Sequence, residues 1–380
     1  MKIFLLLISL FIFSCEDDPV SPEGGDSSVT GTYDNCDVEY IQLWGEYYDV
    51  ESTTEINPSF TSWSSGANAF PLYELQCFEQ LTSLDMNGPI EWLDDIAQLT
   101  NLTHLTYNTS SDLCDDIEID MSHLTSLEFR FSQGYCEADI EFPLNLENLT
   151  HLSSLYIHYN KYYANLNGKC NIPSDIYSLT NLTELIIQGD FTGDISSDIQ
   201  NLVNLEKLDL SSMKSISGSI PSEIGNLVNL EILDLYNMDS ITGSIPPEIG
   251  NLVSLTYLDI SACDLISGLL PPEIGNLVNL ETLDLRHLDS ITPSSIPSEF
   301  FNLVNLIKLD LAYNDLTGSI PPEIANLVNL EELDLASNAF NGTSIPSEIG
   351  NLTNLTKLYI NGSQLTGSIP SEIGDLVNLE

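Results

Sequence analysis

Positive charge is the scarcest commodity in this sequence. Its 380 residues hold 9 Lys plus Arg against 57 Asp plus Glu, a formal net charge of −48. A surface of that sign repels phosphate backbones, whose binding depends on Lys and Arg displacing counterions. It equally disfavours polybasic adsorption to an anionic bilayer leaflet. Nucleic acid is therefore excluded as a partner, and a membrane could be reached only through an added anchor. Also missing is an apolar run long enough to span a bilayer as a helix. The longest runs from Ile3 to Phe13, broken by Ser9, which is the length of a signal-peptide core. Apolar content itself is ample at 42%, so the acidity belongs to a folded chain and not to a disordered one.

The apolar run follows Met1-Lys2 and ends at Ser14-Cys15, with Glu16-Asp17-Asp18 behind it. This resembles a bacterial lipobox, in which the cysteine is lipidated and becomes the mature N-terminus. The acidic triplet resembles the surface-export signal of Bacteroidetes-type lipoproteins. The resemblance implies a signal peptide over 1–15, lipidation at Cys15, and an outer-membrane or cell-surface location, with secretion as the alternative. Residues 16–31 are Pro, Gly, Ser and acid, a solvated tether that reaches roughly 50 Å when extended at about 3.3 Å per residue.

The rest of the chain repeats itself. The frame NLVNLIKLDLAYNDLTGSIPPEIA at Asn302 restarts at Asn201, Asn226, Asn251, Asn276, Asn326, Asn351 and Asp375. Fainter copies are read at Cys77, Gln98, His123, Asn148 and Ser178, which makes about twelve units and a partial one over 77–380. Counting each start as zero, leucines fall at places 1, 4, 7 and 9, as in Leu227, Leu230, Leu233 and Leu235. The last two have strand period, so they point inward while Asp234 points out. A glycine turn (Gly218, Gly243, Gly268, Gly318, Gly367) then leads to Ile-Pro, where proline suits the start of a short helical turn. Gly250 is read as releasing the chain into the next unit. One unit cannot bury its leucines alone, and stacking does. The expected fold is an α/β repeat solenoid with a parallel sheet on its concave face and short 3-10 or helical turns on its convex face.

The pattern LxxLxLxxNxLxGxIP resembles plant-type leucine-rich repeats, those of receptor-like kinase ectodomains and polygalacturonase-inhibiting proteins, and also bacterial cell-surface leucine-rich repeat lipoproteins. The resemblance is strongest from 201 onward. At the polar ladder place the sequence has Asn314 and Asn338 but Met213, Met238, Cys263 and Leu288 in four consecutive longer units. Those four are expected to replace the ladder with apolar packing, with Cys263 buried and reduced.

Solenoid ends need covers. Residues 32–76, with Ile41, Leu43, Trp44, Tyr47, Tyr48 and Val50, are the expected N-terminal cap, and LWGEYYDVESTTEI is similar to cap segments of marine bacterial surface proteins. Glu380 falls partway through a unit, so a missing C-terminal cap, and hence a truncated chain, is expected. Six cysteines besides Cys15 permit disulfides in an exported chain. Cys114 with Cys136 across adjacent turns and Cys36 with Cys77 across the cap are the expected pairs, with Cys170 a competitor for Cys136.

Enzyme signatures are missing: no HExxH, GxSxG, P-loop or CxxC occurs. His104, His123, His151, His158 and His287 sit at different places in their units and do not converge as metal ligands would. No catalysis, cofactor or metal is expected. Place 8 carries Asp209, Asp234, Asp259, Asp284, Asp310 and Asp334. At the ~4.8 Å spacing of strands, adjacent carboxylates repel by about 0.9 kcal/mol even in water. A cation strip for calcium is one reading. The scaffold reading is preferred, with Lys207 and Lys308 relieving the repulsion. The better candidates for recognition are the variable outward residues Tyr156, His158, Tyr159, Tyr236, Tyr257, Arg286, His287, Tyr313 and Tyr359, because exposed Tyr and Arg are enriched at binding hot spots. The expected function is non-enzymatic binding of an extracellular protein or glycan on the concave face. The alternatives are a structural or adhesive spacer, or the ectodomain of a larger receptor-like protein.

Overall fold

A computed structural model describes residues 40–43, 46–57, 75–88, 92–109, 120–133, 146–161 and 170–380. The chain divides into Met1–Val38, which lies outside the described residues, and Glu39–Glu380. The expected signal peptide, Cys15, the tether, Cys36, Trp44, Cys114 and Cys136 lie outside the described residues as well.

The second unit is a solenoid. Its strands form one 13-stranded sheet that runs in strict chain order from Glu55–Ile56 to Lys357–Tyr359, and neighbours pair in parallel, as in Leu208↔Leu233 and Leu233↔Leu258. The strands are eight residues long at Ser126–Gln133 and Ser154–Lys161 and only three from Lys207–Asp209 onward. Leu227, Leu230, Leu233 and Leu235 are all fully buried, and their counterparts in each unit line one continuous core. On the opposite side the units from Ser174 onward make five-residue 3-10 turns such as Pro247–Asn251, which is entered from a proline already in extended geometry (Pro246 φ −69, ψ 137). No helix among the described residues is long and apolar enough to cross a membrane.

Three details correct the sequence reading. The unit read at His123 starts three residues earlier, at Asp120, because Leu127 pairs with Leu105 and Leu155. Met121 holds the first leucine place there, buried at 2% exposure, and Leu124-x-x-Leu127 mimics the first leucine pair when it is the second. In this frame Cys114 and Cys136 both fall sixteen residues into their units. The second correction concerns Gly250, which does not serve to release the chain. A Cβ there would run into the Glu273 carbonyl oxygen, so glycine is what lets this 3-10 turn pack at backbone contact against the next.

The third correction is in the ladder. Asn314 Nδ2 donates to Leu285 O (2.7 Å) and Leu311 O (3.1 Å), and its Oδ1 accepts from Leu288 N (2.9 Å). Asn338 repeats the arrangement one turn on. Cys263 is buried and free as expected, its thiol pushed up to about 12 by burial. It has not left the ladder, however, since its Sγ donates to Leu235 O at 3.2 Å. Ser363 does the same to the later Leu335 O at 2.8 Å. Of the four expected apolar rungs, Met213, Met238 and Leu288 are purely apolar, all fully buried. The residue just before each rung (Ser212, Asn237, Ala262, His287, Tyr313, Ser337 and Gly362) has φ between 53 and 67, a left-handed corner that six non-glycine residues occupy.

A second ladder lies beyond the sequence reading. The asparagine at place 3 donates to a carbonyl of the preceding turn: Asn229 to Val203, Asn305 to Val278, Asn329 to Val304 and Asn354 to Val328, all at 2.8–2.9 Å. This is why the repeat spells Asn-Leu-Val-Asn-Leu, and the signal is the second asparagine itself.

Candidate functional site on the concave face

The outward file of aspartates begins with a backbone duty. Oδ1 of Asp209, Asp234, Asp259, Asp284, Asp310 and Asp334 accepts the N–H of the residue two further on, at 2.8–3.3 Å. Each carboxylate thereby turns its own strand end, and such a turn explains why aspartate recurs at this place. Among the described residues no group of three or more His, Cys, Asp or Glu is arranged to hold a metal ion.

Three of the six are buried: Asp259, Asp284 and Asp310 are 6%, 2% and 3% exposed. Asp259 is held by Ser261 and Tyr257, whereas this chain's own cations compensate Asp284 and Asp310. Lys308 Nζ lies 2.8 Å from Asp284 Oδ2 and 3.9 Å from Asp310 Oδ2. Arg286 spans the same pair at 3.6 and 3.5 Å. Lys308 thus plays the part expected of it, whereas Lys207 turns away to Glu184 at 2.9 Å. Arg286, a recognition residue in the sequence reading, is an internal counterion as well. Among the described residues no Lys or Arg pairs with Asp209, Asp234 or Asp259. Burial, with the neighbouring charges of Asp209, Asp259 and Asp284 adding to it, pushes the Asp234 carboxyl up to about 6. Burial raises Asp259 as well.

The aromatic candidates fall into two groups. Towards the C-terminal half, Tyr236, Tyr313 and Tyr359 are 38%, 47% and 42% exposed. The His287 and Tyr313 rings stack at 4.2 Å and 9° on consecutive turns, each carried by a left-handed corner. Half-buried Tyr257 donates its hydroxyl to Asp259 Oδ2 at 3.2 Å. In the N-terminal group Tyr156 and His158 stack at 6.5 Å, with Arg130 5.1 Å above the Tyr156 ring. Tyr156 also donates to Gln188 at 3.3 Å. Arg130 and Gln188 are additions to the sequence-based candidates, and their strands align them with His158. Tyr159 is no surface residue. It is fully buried, packed 5.0 Å from Phe131 and 5.5 Å from Phe191, because the long strand Ser154–Lys161 carries the inward alternation of Leu155 and Ile157 two residues further. Of the expected disulfide residues, Cys77 is buried and disulfide-bonded, with its partner outside the described residues. Cys170 is free and buried, so it does not compete for Cys136.

Two family descriptions match: Leucine Rich Repeat over residues 204–227 and Leucine-rich repeat region over 230–380. No curated protein matches significantly. Among solved structures, a TDR receptor shares 29% identity at a TM-score of 0.66, covering 81% of this chain and 52% of its own. The plant peptide hormone receptor RGFR1, solved in complex with RGF2, shares 28% at 0.56, covering 82% and 60%. A leucine-rich repeat protein of Leptospira interrogans shares 25% at 0.53, covering 81% and 84%. The chain thus spans less than two thirds of either receptor structure. The family matches over 204–227 and 230–380, the register of the sheet and the two ladders identify leucine-rich repeats in this part of the chain, in the repeat-solenoid fold of those structures.

Proposed function

We propose that this chain is an exported, non-enzymatic binding protein that recognises an extracellular protein or glycan on its concave face. The observation that carries the reading is the row of exposed aromatics Tyr236, His287, Tyr313 and Tyr359 on a sheet whose other side packs into the core. Large rings with no packing duty on a rigid surface offer contact area with little ordering cost. A protein or peptide partner is favoured over a glycan because one structural neighbour is a peptide hormone receptor solved with RGF2. Anchoring through Cys15 at a bacterial cell surface belongs to the same proposal and rests on the lipobox-like start of the sequence. The spacer reading draws on a different observation: six outward aspartates serve the backbone in identical fashion, as a ligand-free scaffold would also require.

The test is a binding screen of the full chain against extracellular proteins and glycans, run beside the triple variant Tyr236→Ala, Tyr257→Ala, Tyr313→Ala, with circular dichroism checking both folds. A partner lost at least tenfold in the variant supports concave recognition. Absence of any partner, or one that the variant binds equally, favours the spacer.

A further inference from the structure

The sequence holds four Asn-Gly pairs, beginning at Asn87, Asn167, Asn341 and Asn361. In such a pair the backbone nitrogen that follows the asparagine is open to its side chain, because glycine has no Cβ to shield it. For that nitrogen to reach the side chain, the peptide between the two residues must swing round. A hydrogen bond at either end of the peptide opposes the swing. Asn167 lies outside the described residues. At Asn87 the peptide is pinned by its N–H, which Gly88 donates to Asn108 O at 3.0 Å. At Asn361 it is pinned by its C=O, which accepts the Ser337 N–H of the preceding turn at 2.9 Å. Asn341 differs. It and Gly342 are exposed, and among the described residues no hydrogen bond holds the Asn341 C=O, the Gly342 N–H or the Asn341 side chain. Only the flanks are held: Asn341 N donates to Ala339 O at 2.8 Å, and Thr343 reaches Phe340 O with its N–H at 3.3 Å and its hydroxyl at 3.0 Å. A Cβ built on Gly342 would meet nothing within 4 Å, so there is room for the peptide to turn.

We infer that Asn341-Gly342 is a self-modifying site, at which the folded chain converts its own asparagine to aspartate and isoaspartate. The Gly342 nitrogen loses its proton to hydroxide and attacks Asn341 Cγ. The new N–Cγ bond closes a five-membered imide, and the side-chain nitrogen takes up a proton from water and leaves as ammonia. Water then opens the ring in one of two ways. Breaking the new N–Cγ bond leaves aspartate in the original backbone. Breaking the bond from the same nitrogen to the Asn341 carbonyl carbon leaves the chain running through Cγ, as isoaspartate. Nothing is oxidised or reduced; one water enters and one ammonia leaves. Each event adds a carboxylate to a chain already at −48, at a place that the leucine spacing does not mark. The pinned pairs at Asn87 and Asn361 share the dipeptide and lack the freedom.

The full chain is incubated at pH 8.5 and 37 °C and sampled over several weeks. Trypsin cuts after Arg130, Lys308 and Lys357, which puts Asn87, Asn341 and Asn361 in separate peptides. Fragmentation mass spectrometry locates the conversion, and an isoaspartyl methyltransferase detects isoaspartate. Asn341 is expected to convert at least tenfold faster than Asn87 or Asn361. In concentrated urea, where no peptide is pinned, the Asn341 and Asn361 rates should come within threefold of each other. Asn341→Gln keeps a side-chain amide but would need a larger ring, so its peptide should stay unchanged over the same weeks, with circular dichroism confirming the fold. Native Asn341 converting no faster than Asn361, or a tenfold contrast that survives unfolding, would overturn the inference. Aspartate formed at Asn341 without isoaspartate would overturn it as well, since direct hydrolysis and not the imide would then be the route.

Discussion

The side-chain amide of Asn338 donates to the carbonyl of Leu311, twenty-seven residues earlier, at 2.9 Å. The same side chain accepts the N–H of Leu316 at 2.9 Å and donates to Leu335 O at 3.1 Å. Asn338 is 2% exposed, so these groups have no water to turn to. Asn338→Leu is therefore expected to cost about 2–4 kcal/mol, the cost of leaving buried backbone groups unsatisfied. Urea unfolding measures the total. Hydrogen exchange localises it, because the Leu316 amide loses its acceptor and should exchange far faster. Unchanged protection at Leu316 would mean that the ladder is ornamental.

Cys263→Ala tests the weaker rung of the same ladder. One thiol donor at 3.2 Å is lost and a small void is left, so the cost should be about 1–2 kcal/mol. A loss as large as that for Asn338→Leu would contradict the ranking of amide above thiol.

Lys207 and Lys308 share one repeat place and look alike in the sequence, but their surroundings separate them. Lys308 faces Asp284, whose side chain is 2% exposed. Lys207 faces Glu184, 36% exposed. Lys308→Met strips a buried carboxylate of its shortest ion pair and should destabilise by about 3 kcal/mol. Lys207→Met should cost under about 1 kcal/mol, as an exposed pair does. Equal Tm shifts for the two variants would refute the ranking of the buried ion pair above the exposed one.

These contrasts show where the sequence is legible. Leucine spacing is dictated by burial, and burial repeats every turn, so the solenoid and its parallel register can be read from 201 onward without coordinates. The upstream frame slips at Met121 because LxxL occurs twice within one unit and the spacing alone does not say which pair is seen. Tyr159 is misplaced by the sequence for a related reason: in the long strand Ser154–Lys161 an inward place continues beyond the usual leucines. Which lysine meets which carboxylate depends on how far a flexible chain leans across a neighbouring strand, and the repeat pattern carries no trace of that. Arg286 illustrates it, since from its own strand end it reaches one turn forward to Asp310.

Gly250→Ala tests the packing of the 3-10 turns. Its new Cβ would run into the Glu273 carbonyl, backbone that cannot rotate away. The solenoid must open there, at an expected cost of about 1–3 kcal/mol. A thermal melt of the variant beside the parent measures this cost, and an unchanged Tm would refute the packing.

The last expectation concerns pH. Asp234 has an ordinary carboxyl value of 3.8 in the unfolded chain and about 6 in the fold, raised by burial first and by Asp209, Asp259 and Asp284 after it. The folded state therefore holds this proton more tightly than the unfolded state. Its contribution favours folding below pH 3.8, is lost as the pH rises through about 6, and leaves the ionised group a burden above that. Asp234→Asn keeps the acceptor for the Tyr236 amide and removes the charge. A tenfold difference in proton affinity is worth about 1.4 kcal/mol, and solvent reaching this half-buried carboxyl screens part of that. At pH 7 the variant should therefore be more stable than the parent by on the order of 1–2 kcal/mol. At pH 4 the two should melt together. A Tm difference that is the same at both pH values, or a variant less stable at pH 7, would show that a cation or a hydrogen bond already satisfies Asp234 in solution.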